Sequence, residues 1–386
     1  MDFEISESQR LMVEVLHDLI ADKFDKAYFR RLEDDAEWPT EVMKVLGEQG
    51  YMGIVVPEEF GGAGGNSVDS TLCLEEAART MGGAAMAYFT TMCFGARALA
   101  ELGTKQQRET ILPGLLDGSD FVGLSLTEPA GGTDILRAIQ TTAKEDGPDH
   151  YIINGSKIFT TGAHIAKWLI VVARTAGFEE RRTHGITLFL VPTDSEGVTI
   201  EPIPLMCSRS TGANVVTYEG VRVPKENVLG ELNYGLRGLF NILNDERIGA
   251  AIMSVGLAQA GLDEALEYAK QREAFGRPIG GFQAVQHRLA ESWIRIEAAR
   301  YLTYHAAWMQ SQGLPAEMES SAAKVFASEA SVWVINECMD ILGGYGCTLE
   351  FNMSYYFRDA RYTFAPVTNN AAKNLIGERL GLPKSY

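Results

Sequence analysis

The chain has 386 residues, 46% of them hydrophobic and 22% charged, enough apolar material for two or three packed domains and too much for a disordered chain. Its 34 Lys and Arg against 51 Asp and Glu leave a formal charge of −17, which argues against nucleic acid or an anionic membrane as partner, since both select clustered positive charge. Five scattered cysteines with no CxxC, histidines with no HxxxH or HxH spacing, no apolar run of about 18 residues and a start lacking a signal-peptide pattern argue against a disulfide scaffold, a metal site and membrane insertion; the expectation is a reduced, cytoplasmic enzyme.

Residues 1–120 read as helices. Ser6-Glu7-Ser8-Gln9 has the form of a cap for a helix whose apolar face is Leu11, Val15, Leu16 and Leu19. A second helix is predicted after Trp38-Pro39-Thr40, a third after Asp69 and a fourth over 94–102. The glycine-dense segment 57–65 matches neither GxGxxG nor GxxxxGK[ST], and reads as a plain loop rather than a phosphate cradle. From about 121 the chain turns to β-branched and aromatic runs at 151–155, 158–161, 168–173, 186–191, 198–203 and 215–223, with no helical pattern between them. That predicts an antiparallel sheet rather than βαβ units. After 233 come long helices over 234–272, 281–312 and 315–342. The fold class is α+β, mostly α: an N-terminal helical domain (1–120), a central antiparallel β-domain (121–232) and a C-terminal helical bundle (233–386).

Glu246 is the most informative position. Leu239, Leu243, Ala250, Met253 and Leu257 lie at helical spacing around it, so a carboxylate projects from an apolar stripe. Desolvation there raises its pKa towards the range useful to a general base, and a buried ion pair with Asp245, Arg247 or a neighbouring helix is the alternative. Leu124-Ser125-Leu126-Thr127-Glu128-Pro129-Ala130-Gly131-Gly132-Thr133-Asp134 joins a strand end to hydroxyls and a glycine pair, which suits either a ligand-facing backbone or a simple turn. Arg272-Glu273-Ala274-Phe275-Gly276-Arg277 closes the helix carrying Glu246, with Gly276 as its expected stop; its cations suit the helix dipole or a pyrophosphate.

Together with 157–163 (KIFTTGA), 221–230 (VRVPKENVLG), 272–286 (REAFGRPIGGFQAVQ), 342–346 (LGGYG) and 356–361 (YFRDAR), these segments resemble the acyl-CoA dehydrogenase family over nearly the whole chain and in family order. The resemblance implies FAD held between the β-domain and a neighbouring subunit's helical bundle, in a homotetramer built as a dimer of dimers. By the same resemblance Leu124, Leu126 and Thr127 line the flavin, Thr133 lies near the pyrophosphate or substrate mouth, and Phe159 and Thr161 sit against the ring. Arg272, Phe275, Gln283, Gly343 and Gly344 are the partner subunit's contribution. The implied reaction is α,β-desaturation of an acyl-CoA thioester, with an electron-transfer flavoprotein as acceptor.

One departure bears on mechanism. Most of the family takes its base from a Glu-Gly-Thr loop after the Arg-Asp-Ala motif, where this chain has Val367-Thr368-Asn369-Asn370-Ala371. The isovaleryl and long-chain type instead uses a helix segment ending Glu-Arg, which corresponds to Glu246-Arg247. The resemblance therefore assigns the base to Glu246 and substrate contacts to Thr133, Arg247 and the Val367 backbone N–H. Asp340 stands where the family often has a flavin-contacting Gln, and Asn369 and Ala371 replace polar residues near the adenosine diphosphate, which puts FAD affinity in question. Two alternatives stay open: one chain of a hetero-oligomer with a shared FAD site, or an oxidase or carrier-protein acyl dehydrogenase on the same fold.

Overall fold

The computed structural model describes residues 5–132, 138–177 and 184–384. Helix α1 (Glu7–Lys23) opens with the predicted capping box: Ser6 Oγ accepts from Gln9 N while the Gln9 side chain accepts from Ser6 N, satisfying two otherwise orphaned donors. Its buried face is Leu16 and Ile20, whereas Leu11 and Val15 are exposed. Leu19 packs partly buried against the same core, so the predicted stripe holds at Leu16 and Leu19 and fails at Leu11 and Val15. Helices α2 (Lys26–Asp35) and α7 (Lys105–Leu116) were not anticipated; their charged and proline-containing sequences hide the periodicity. Between them lie α3 (Thr40–Glu48), α4 (Ser67–Met81), α5 (Ala85–Thr90), a widened π-helical stretch Thr91–Arg97, and α6 (Ala98–Leu102). The segment 57–65 is a loop with a short helical turn Glu58–Phe60. Gly62 there lies against Val56, whose carbonyl oxygen would meet any Cβ at 2.1 Å, so close packing explains that glycine.

The central domain is an eight-stranded sheet in the order β6-β7-β3-β2-β4-β5-β8, with β1 added beside β4. Its strands are β1 (Val122–Ser125), β2 (Thr142–Asp146), β3 (His150–Thr161), β4 (Trp168–Arg174), β5 (Ile186–Pro192), β6 (Val198–Ile203), β7 (Ala213–Pro224) and β8 (Val228–Leu229). Most pairings are antiparallel as expected, but β1 runs parallel to β4 with Val122 opposite Trp168, and β2 meets β4 in parallel at Thr142 and Arg174. The chain enters the sheet from a helical domain, so its first strand needs no hairpin and its direction is set by that docking. Alternation along β3 and β7 packs Tyr151, Ile153, Val216, Tyr218, Val221 and Val223 into one core.

The C-terminal bundle contains α8 (Gly235–Gln271), α9 (Gln283–Ser311), α10 (Glu317–Leu342), α11 (Met353–Tyr362) and α12 (Asn369–Arg379). A two-stranded hairpin, β9 (Glu273–Ala274) and β10 (Arg277–Pro278), follows α8. Gly276, with φ +78°, forms the hairpin turn rather than the helix stop, since α8 has already ended at Gln271. Helix α8 packs on α4, α9 and α10, so one long element joins the N-terminal domain to the bundle.

Buried carboxylates fix the three domains to one another. Asp359 on α11 accepts from Gly83 N at 3.1 Å and Ser208 N at 2.8 Å, reaching the N-terminal domain and the β-domain together. Glu33 on α2 accepts from Arg209 N at 2.7 Å and from the Ser210 hydroxyl. Burial pushes Asp359 up to about 8, with Glu33 adding to the rise.

Candidate active site

The stripe predicted around Glu246 is present: Leu239, Leu243, Ala250, Met253 and Leu257 are all buried. Glu246 itself keeps part of its surface accessible and makes no hydrogen bond to any described residue. Dense surroundings push its carboxyl from 4.5 up to about 7, opposed through space by Arg247 and Lys324. The ion-pair alternative belongs to the preceding residue. Asp245 turns away, accepts from Arg97 Nη1 at 2.8 Å and from the Gln310 amide, and is raised by burial to about 6. Arg247 donates Nη1 to Asn244 Oδ1 at 2.7 Å and leaves its buried Nε without a partner. Three consecutive charged residues on one helix thus face different ways, and only Glu246 is an unengaged carboxylate. An acid with a proton affinity near neutrality in an apolar setting is equipped to accept a proton from carbon.

The tail segment comes to the same place. Lys324 on α10 has no exposed side-chain surface; it donates to Phe364 O at 3.1 Å and to Asn369 Oδ1 at 2.7 Å, and burial pushes its ammonium down to about 8. Between those two acceptors Val367 adopts φ +40°, a left-handed conformation costly for a β-branched residue. Tyr362, at the end of α11, is raised by burial, and its phenol lies within electrostatic reach of Thr161 on β3 and of Glu246. That proximity joins the bundle site to the β-domain wall.

On that wall, Phe159 combines φ +59° with 59% exposure, while Thr127 and Thr161 are partly exposed. Leu126 is buried, and Leu124, partly buried, packs against the helical core. The loop after β1 is locked by Glu128, which accepts from Gln140 N at 2.7 Å, Thr141 N at 2.9 Å and the fully buried Lys157 Nζ at 2.9 Å; Lys157 also donates to Leu126 O at 3.0 Å, and Ile158 N to Thr127 O at 2.8 Å. Desolvation takes Lys157 down to about 8, partly offset by Glu128. Thr133, expected near the pyrophosphate or substrate mouth, lies outside the described residues.

Arg272, Phe275, Gln283, Gly343 and Gly344 gather elsewhere. Along α8 the 26 residues from Glu246 to Arg272 span about 39 Å at 1.5 Å per residue. Phe275 stands 97% exposed at the hairpin tip with φ +52°, and Arg272, Gln283 and both glycines are exposed. A Cβ on Gly344 would meet nothing, so no packing within the chain demands a glycine there. Asp340 is paired with Arg288 Nη1 at 3.1 Å, and Arg288 Nε also approaches Glu337 at 3.4 Å. Exposed Phe159 with the Thr127 and Thr161 hydroxyls suits a flavin ring, and the separate set of a cation, an amide and accessible glycine backbone suits a diphosphate, too far along α8 for one cofactor to meet both within a single chain. Among the described residues no group of three or more His, Cys, Asp or Glu is placed to hold a metal ion, and no helix is long and apolar enough to cross a membrane.

Helices thus flank a β-domain, with a desolvated acid on the first helix of the bundle. Residues 6–119, 123–221 and 233–381 match, respectively, the N-terminal, middle and C-terminal domain families of acyl-CoA dehydrogenase. The chain is 38% identical over 343 residues to the 3-(aryl)acrylate reductase of Clostridium sporogenes, covering 89% of this chain and 88% of that protein. It is 33% identical over 377 residues to the CarC subunit of the caffeyl-CoA reductase-Etf complex of Acetobacterium woodii, covering 97% and 98%. The structure of butyryl-CoA dehydrogenase from Megasphaera elsdenii superposes with a TM-score of 0.93 at 32% identity, covering 98% of this chain and all of that one. The chain belongs to the acyl-CoA dehydrogenase family, FAD-dependent oxidoreductases.

The sequence reading missed Lys324, Tyr362, Arg97 and Arg288. Only Lys324 left a signal, a cation among the small residues Ser320, Ser321, Ala327 and Ser328 on one helix.

Proposed function

We propose that this protein desaturates an acyl-CoA thioester between Cα and Cβ, with Glu246 as the base. The observation that carries the reading is the partly accessible, unbonded Glu246 carboxylate raised to about 7 on a helix whose neighbouring charges are engaged elsewhere. In this scheme a Glu246 oxygen takes the Cα proton, while the Val367 N–H polarises the thioester carbonyl as negative charge develops on its oxygen. Arg247, next to Glu246 on α8, is proposed as a further substrate contact. FAD, when bound, supplies the two-electron acceptor for the hydride that leaves Cβ. Leu124, Leu126, Thr127, Phe159 and Thr161 hold its ring, and Thr133 is proposed at the mouth. The distance of about 39 Å along α8 supports assigning Arg272, Phe275, Gln283, Gly343 and Gly344 to a second copy's cofactor. Exposed Trp293, Ile294 and Trp308 on α9 support a homotetramer. An electron-transfer flavoprotein is the proposed acceptor.

A second reading runs the same chemistry backwards, with Glu246 returning the proton to Cα of a 2-enoyl or aryl-acrylyl thioester. It is favoured by the reductase relatives. The test is anaerobic mixing of the purified chain with a panel of acyl-CoA and enoyl-CoA thioesters. Bleaching of a yellow, homo-oligomeric protein by a saturated thioester supports the proposal, whereas reoxidation of reduced flavin by enoyl thioesters alone supports the reverse reaction. A colourless chain that gains flavin only with a second subunit points to a hetero-oligomer, and oxygen uptake without an acceptor protein points to an oxidase.

A further inference from the structure

Lys324 is a buried charge to which the scheme above gives no duty. Its side chain runs through a stretch of α10 where Ser320, Ser321, Ala323, Ala327 and Ser328 are also buried, and small neighbours leave room for a long side chain in a close-packed interior. A lone ammonium there is costly unless it is hydrogen-bonded and faces negative charge. Its two acceptors are chosen tellingly. Phe364 O at 3.1 Å and Asn369 Oδ1 at 2.7 Å bracket residues 365–368, so one cation closes both ends of that loop. Asn369 is held in turn by Ser328, which donates Oγ to Asn369 Oδ1 at 3.2 Å and accepts from Nδ2 at 3.1 Å. Inside the loop Val367 sits at φ +40°, a strained conformation for a β-branched residue that persists only where surrounding bonds impose it.

The same ammonium faces Glu246. The other groups turned towards this pair are Arg247 on α8, which in turn feels Glu317; Glu329 on α10; Tyr362 on α11; and the Cys93 thiol of the π-helical stretch. Of the charges acting on Glu246 only Arg247 and Lys324 favour its ionised form. Removing one leaves a single cation against the whole desolvation cost.

We propose that Lys324 is a positioning residue with two targets: it clamps loop 365–368 so that the Val367 N–H stays aimed at the thioester site, and the clamped ammonium sets a positive charge facing the Glu246 carboxylate. The second half rests on the assignment of Glu246 as base. The experiment compares Lys324→Met, Lys324→Gln and Lys324→Arg in the full-length protein by two measurements. The first is the pH dependence of substrate-driven flavin reduction. Loss of the cation in the Met and Gln variants is expected to move the acid limb upward by about one pH unit, with Arg restoring it. The second is amide hydrogen exchange of Ala365, Ala371 and Ala372, whose N–H groups donate to Tyr362 O, Thr368 Oγ1 and Thr368 O at the two ends of the loop, in the flavin-free protein, which needs no reaction. Met is expected to accelerate it at least tenfold, Gln less because its carboxamide still donates. An unmoved limb in both neutral variants overturns the electrostatic half, and unchanged exchange in the Met variant overturns the clamp. If Glu246→Gln still bleaches flavin normally, the base assignment fails instead, and the exchange data decide the clamp by themselves.

Discussion

Replacing Glu246 by Gln removes the proton acceptor while keeping shape and polarity. A positioned general base contributes about 10²–10⁴ in rate, or about 2.7–5.5 kcal/mol of barrier. With the carboxyl at about 7, roughly a tenth of the wild-type protein holds the basic form at pH 6, half at pH 7 and nine-tenths at pH 8. Wild-type bleaching by substrate, followed by anaerobic stopped flow, should therefore rise about tenfold from pH 6 to 8, and Glu246→Gln should run at least a hundredfold slower with bound flavin retained. The structure gives a second, reaction-free consequence. A carboxyl raised from 4.5 to about 7 on folding costs nothing below pH 4.5, where both states are protonated; the penalty builds as pH rises and is complete above about 7. Glu246→Gln should accordingly raise the melting temperature of the flavin-free protein at pH 8 but not near pH 4.5, with an upper bound of about 3 kcal/mol. Bleaching at near wild-type rate, with a pH profile unchanged, would refute the reasoning.

Other perturbations test the rest of the site. Arg288→Gln leaves Asp340 without its 3.1 Å partner and should lower the flavin retained through gel filtration, whereas Asp340→Gln should raise it; equal retention would remove Asp340 from the cofactor question. Lys157→Met strands Glu128 in the interior and should cost about 3–5 kcal/mol in denaturant unfolding, partly recovered in the Lys157→Met, Glu128→Gln double variant, whose neutral carboxamide oxygen still accepts a backbone N–H. Phe275→Ala removes an aromatic ring that is 97% exposed, so the isolated fold should keep its stability while flavin retention and oligomer size fall; a loss of fold stability alone would contradict a role towards a second copy.

Periodicity and composition made the helix, sheet, helix order legible, because stripes of apolar residues at period 3.6 or 2 must be buried whatever the neighbours are. The same rule singled out Glu246, whose stripe is buried as drawn, and the family resemblance, aligned on the Arg-Asp-Ala motif, implied that Val367 stands where a carboxylate is usual. Partnership was not legible. Nothing local told that Asp245 would take Arg97 and Gln310 while Glu246 took none, because those partners lie 148 and 65 residues away in sequence. Leu11 and Val15 fit the helical pattern as well as Leu16 does, and only the docking of α4 decided which of them would be covered. Residue order alone was enough to give the succession of helical and strand segments and to set Glu246 among apolar neighbours. The tertiary structure decided which charge was left unpaired, since a carboxylate's proton affinity depends on the dielectric and charges within a few ångströms, and these are brought there by chain segments far apart.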